Sequence, residues 1–189
     1  TGLRFDSPIS FYGGVSFITG NSLCTGVSLT GVLADDTAQV TITGEVTASG
    51  VCTTHRGVNV ISGTVSADTT SQLAIVGTVQ PIASGMQLGI DFAGNSITST
   101  VSALLTLAGT ADGISPVGVR IASGGGVTIF GSTATINGTS EGSPGIGIEL
   151  TNVYVTVNTQ FNGFANALGG TSSTIGVFAT GSSTFSSAT

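Results

Sequence analysis

All the fixed charge of this 189-residue chain sits on three arginines, Arg4, Arg56 and Arg120, and nine carboxylates; there is one histidine, His55, and no lysine. Proton transfer or glycosidic cleavage would need carboxylates or a base converging from adjacent strands. Asp35-Asp36 is the only adjacent acidic pair, and it falls in a variable stretch between two strand-like segments, where a solvated turn is the simpler reading. Arg56, next to His55, and Arg120 fall at comparable places two repeats apart, about 10 Å by strand spacing. His55 itself reads as a loop residue. The chain is therefore expected to have no catalytic residues and no cofactor. A metal site is not expected either, because there is no CxxC pair, one histidine leaves a ligand set incomplete, and no Gly-Gly-x-Gly-x-Asp calcium repeat occurs.

What surrounds these residues is apolar and flexible in backbone. Thirty glycines, 40% hydrophobic residues and 6% charged residues, with abundant Val, Thr and Ser, specify strands and tight turns and leave no room for an all-helical fold. A net charge of −6 with three scattered arginines excludes a phosphate-neutralising surface, so nucleic acid is not an expected partner. Membrane insertion is not expected: the charge-free window from Thr69 to Ile90 is broken by Gly77, Pro81 and Gly85, and with no Trp and two Tyr the chain cannot build the aromatic girdles of a membrane barrel.

The positioning elements show themselves as repeats. Gly-apolar-x-apolar recurs at Gly26-Val27-Ser28-Leu29, Gly57-Val58-Asn59-Val60, Gly85-Met86-Gln87-Leu88, Gly118-Val119-Arg120-Ile121 and Gly147-Ile148-Glu149-Leu150, with a weaker copy at Gly176-Val177. Within each unit follows apolar-x-apolar-x-Gly: Val40 to Gly44, Leu73 to Gly77, Leu105 to Gly109, Ala134 to Gly138, and a degenerate Gln160-Phe161-Asn162-Gly163. Both alternate with period two, so each is a short strand with one inward face. A unit of about thirty residues cannot bury that face alone, but stacked units place Val40/Ile42, Leu73/Ile75, Leu105/Leu107 and Ala134/Ile136 in continuous columns. The expected fold is all-β, a right-handed parallel β-helix of about five to six coils with a period near 30, occupying residues 1–189 as one segment. A β-sandwich would also supply short strands but not the fixed register. The glycines that close the second motif are expected at corners. Both ends read as partial coils without caps, which favours a fragment of a longer array.

Cys24 and Cys52 precede successive repeat glycines, one coil apart. Strands about 4.8 Å apart suit the Cα separations of disulfides, so a Cys24–Cys52 bridge and an oxidising compartment are expected. Asn137-Gly138-Thr139 is a glycosylation sequon at an expected corner. The outward column Thr41, Ala74, Thr106, Thr135 is broken at its second rung, which disfavours an unbroken threonine array of the ice-binding kind.

Units running Gly-Val-x-Leu and then Val-Thr-Ile-Thr-Gly-Glu-Val-Thr-Ala-Ser-Gly (Val40 to Gly50) or Thr-Ile-Asn-Gly-Thr-Ser (Thr135 to Ser140) resemble the β-helical repeats of filamentous haemagglutinin and high-molecular-weight type adhesins, the large two-partner-secretion exoproteins of Gram-negative bacteria. The resemblance covers Gly14 to about Ser183. It implies a module that is secreted or displayed on the bacterial surface, acting in attachment, aggregation or biofilm or as a rigid stalk, with a glycan or protein of a host or neighbouring cell as partner. It brings no catalytic residues. The longer period and the cysteine pair depart from that family's pattern, which leaves open a self-assembling extracellular filament subunit that associates through its solenoid ends.

Overall fold

The computed structural model describes residues 1–47, 52–82, 85–131, 134–156, 159–166 and 173–186. The end of the Val40–Gly50 motif and the last three residues lie outside that set. The chain is all-β, and its strands stack in parallel as a β-solenoid of about five turns with a period of about 29 residues.

Each coil lays one strand on each of three faces. Face A carries Thr25–Leu29, Thr54–Val60, Met86–Phe92 and the first halves of Val117–Gly131 and Ile146–Thr156, followed by Ile175–Thr180. Face B carries Val32–Asp35, Thr64–Ala67, Ser96–Ser99 and the second halves of the same two long strands. Those long strands run round the A–B corner, so among the described residues faces A and B form one hydrogen-bonded sheet of twelve strands. Face C is a separate six-stranded sheet of Val15–Ser22, Gln39–Val46, Gln72–Ile82, Leu104–Gly113, Ala134–Gly142 and Gln160–Asn166.

Strand formation follows from what each face buries. On face C, Ile18, Ile42, Ile75, Leu107, Ile136 and Phe161 form one inward column. Opposite it on face A stand Leu29, Val60, Phe92, Ile121 and Leu150, and on face B Val32, Val65, Ile97, Ile129 and Val155. These columns meet in one core. A single coil would leave them in water; stacked, each large aliphatic side chain contributes about 1.5–3 kcal/mol by burial. The interior columns expected from the sequence are therefore present.

The repeat register differs from the sequence reading in one coil. Val58 and Val119 both pair with Ile90, so the glycine that belongs to the series Gly26, Gly57, Gly118 and Gly147 is Gly89, and the motif in that coil is Gly89-Ile90-Asp91-Phe92. Gly85 instead occupies a turn with φ +82°, a left-handed conformation that glycine adopts without strain. Leu88 pairs with Arg56 and Val117 rather than with the leucine and valine of the core column.

The second glycine series was expected at corners, and that reading is also corrected. Gly44, Gly77, Gly109 and Gly138 lie inside face C strands. A Cβ on Gly109 would collide with the backbone carbonyl of Gly118, and the same clash joins Gly44 to Gly57, Gly77 to Gly89 and Gly138 to Gly147. Faces C and A touch backbone to backbone along two glycine columns, which pinch the cross-section. Beyond the pinch the two walls continue as a thin fin with its own small cluster, Val46, Val79 and Ala111.

Candidate functional site

The three arginines all lie on face A strands, and two of them meet a carboxylate there. The third residue of the Gly-apolar-x-apolar motif points outward, and across successive coils that slot holds Ser28, Asn59, Asp91, Arg120 and Glu149. Arg120 grips Asp91 with two hydrogen bonds, Nε to Oδ1 and Nη2 to Oδ2, both 2.9 Å. From the coil on the other side, Arg56 Nε donates to Asp91 Oδ2 at 2.6 Å. The two arginine side chains are 27% exposed and the Asp91 side chain 6%. Burial works against the Arg120 charge, but hydrogen bonding and Coulombic attraction from Asp91, with a smaller contribution from Glu149, outweigh it and hold the guanidinium above its ordinary value.

The sequence placed Arg56 and Arg120 two coils apart and found nothing between them. The structure brings both onto Asp91, on the intervening coil. The misassigned glycine hid this: with Gly89 heading the motif, Asp91 falls in the same slot as Arg120 and Glu149, and the alternation of charge along the column could have been read directly. Oδ1 of Asp91 accepts one guanidinium hydrogen bond and Oδ2 accepts two, so both oxygens are engaged by the arginines.

His55 was expected in a loop; it lies instead within Thr54–Val60 and is fully buried. It precedes Gly57 by two residues and so shares its side of the strand, facing the fin. Gln87, its register partner one coil on, is fully buried as well. Neither ring nitrogen of His55 has a hydrogen-bond partner among the described residues. Cys24 and Cys52 are joined by a disulfide with Cα atoms 5.9 Å apart, and Arg56 N donates to the Cys24 carbonyl at 2.8 Å. The bridge thus ties two successive coils where the chain passes from face C into face A.

Asp35 ends the strand Val32–Asp35 and Asp36 begins the turn at the B–C corner. The Asp35 carboxylate accepts hydrogen bonds from Thr69 Oγ1 and Asp36 N, at 2.8 and 2.7 Å, which lower its pKa from the ordinary value. It caps a turn rather than forming a dyad. Asn137 is not at a corner: it is outward-facing in the middle of Ala134–Gly142, and its Oδ1 accepts from Asn162 Nδ2 at 2.8 Å. Among the described residues no three of His, Cys, Asp and Glu gather as a metal site, and no helix is long and apolar enough to cross a membrane.

No protein-family model, curated protein or solved structure matches this chain.

Proposed function

We propose that the chain is a non-catalytic structural and adhesive module of a secreted or bacterial cell-surface exoprotein, a rigid rod that also contacts a glycan or protein of another cell. The carrying observation is how its scarce charge is used. Arg56, Asp91 and Arg120 tie three successive coils, and Cys24–Cys52 ties the coil before them to the same stack. A rod under lateral or tensile load gains from ties between coils, whereas a catalytic cleft would need its ionisable groups free. Beads coated with the chain and challenged with epithelial cells or bacteria under flow test the adhesive half: retention above albumin-coated beads is expected, and equal retention would refute it.

A filament subunit is a second reading with its own observation. Val177 and Phe185 continue interior columns of faces A and B, yet remain about half exposed. In a filament, the Leu3 and Ile9 rung of another copy would cover them, since those residues begin the same columns. Sedimentation that stays monomeric up to high concentration would remove this reading.

A further inference from the structure

Face C carries a depression of about 220 Å³ on its outer surface, separate from the charged ladder of face A. It arises from side-chain size along two adjacent outward columns. One runs Phe17, Thr41, Ala74, Thr106 and the other Val15, Gln39, Gln72, Leu104. The first rung is Phe17 with Val15 and the fourth is Leu104 with Thr106, and the tall apolar side chains Phe17 and Leu104 are 75% and 53% exposed. The two middle rungs are low, offering Ala74 and Thr41 as floor and the amides of Gln39 and Gln72 beside them. From Phe17 to Thr106 is three rungs, about 14 Å at about 4.8 Å each.

From this geometry we propose that the depression binds a neutral oligosaccharide laid along the solenoid axis, the contact through which the adhesive reading above, on which this inference rests, is carried out. Four features select the ligand. No ionisable side chain lines the depression, so a sulfated or sialylated chain would find no counter-charge and would lose hydration without return. Paired glutamine amides and threonine hydroxyls each donate and accept, which matches hydroxyl-rich ligands. Phe17 offers an exposed aromatic surface against which the C–H face of a pyranose can pack. An extended peptide docking by strand addition requires an open sheet edge, but the floor strands Gln39–Val46 and Gln72–Ile82 are flanked by paired strands on both sides. Small apolar walls with a few placed polar groups are the usual build of such a site.

The test is titration calorimetry of the 189-residue chain with neutral trisaccharides (cellotriose, maltotriose, chitotriose) and, in parallel, with sialyllactose and a heparin trisaccharide. At least one neutral trisaccharide is expected to bind, and Phe17→Ala and Gln72→Ala are each expected to weaken it at least tenfold. Tyr154→Ala, an exposed aromatic on face B, is expected to leave it unchanged. Binding of only the charged sugars, of none, or undiminished binding by Phe17→Ala overturns the proposal. Circular dichroism on each variant guards against unfolding; should Phe17→Ala unfold, Gln39→Ala and Gln72→Ala carry the test. The bead assay separates the two ideas: adhesion that persists in a folded Phe17→Ala chain keeps the adhesive module and removes this groove, while trisaccharide binding without cell adhesion keeps the groove and removes the adhesive reading.

Discussion

The triangular core and the pinch beside it exclude water by opposite means. In the core, large side chains such as Phe92, Ile75 and Leu107 from three faces interdigitate, and each is replaceable by something of similar volume at modest cost. In the pinch there are no side chains at all; the walls meet at Gly109 and Gly118 because nothing projects from either. A core adjusts by rotamer changes, whereas two hydrogen-bonded backbones have no such freedom. The contrast predicts that the smallest residue in this fold tolerates substitution less well than the large core side chains.

That contrast can be broken most directly by comparing Gly109→Ala with Leu107→Ala, two residues apart on one strand. Leu107→Ala leaves a cavity and is expected to cost about 3 kcal/mol. Gly109→Ala sets a methyl against a backbone carbonyl and is expected to cost more, beyond about 4 kcal/mol, a range single changes reach only exceptionally. Denaturant midpoints decide it; an alanine at Gly109 milder than one at Leu107 would mean the walls can part.

Next comes the disulfide, whose opening is expected to cost about 3.5 kcal/mol on the loop-entropy account for cysteines 28 residues apart. Melting of the Cys24→Ser/Cys52→Ser variant measures it; no change would place the bridged corner outside the cooperative unit. Face A supplies a smaller effect. Asp91→Ala strands two half-desolvated guanidinium groups, a change that costs about 3–5 kcal/mol for fully buried pairs and is expected nearer about 2 kcal/mol here because both arginines keep some solvent contact. Chemical denaturation in low and high salt checks this, and a loss as large as that of Leu107→Ala would show the ladder to rival the core.

The smallest effect lies at the exposed B–C corner. Because the folded fold lowers the Asp35 pKa, its contribution is present above the ordinary carboxylate value of about 3.9 and is lost as pH falls through the lower folded value. Thr69→Ala removes the larger cause and is expected to move the Asp35 titration upward, as followed by NMR, with a small loss of stability at neutral pH that fades as the carboxylate is protonated. An unmoved midpoint would assign the shift to the Asp36 amide alone.

Several of these contrasts were already legible in the order of residues. Period-two alternation with two recurring anchors is a local signal, and it specified parallel coils, the columns through Ile42, Ile75 and Leu107, and the spacing that let Cys24 meet Cys52. Asp91 was hidden because Gly85 imitates the motif glycine four residues early, and only strand pairing distinguishes a turn glycine from a column glycine. For the same reason Asn137 and Gly138 read as a corner, since a glycine after alternating residues looks alike whether the chain turns there or meets another wall.

The sequence by itself determined which residues alternate between the two sides of a strand, because alternation is a property of one strand, although in the coil of Gly85 it set the inward side wrongly. Only the tertiary structure decided which residues stand above one another and which faces touch. Those depend on coil-to-coil register and on the distance between walls, and they put Arg56 and Arg120 on a shared carboxylate, buried His55 in a fin, and left a shallow neutral groove between Phe17 and Leu104.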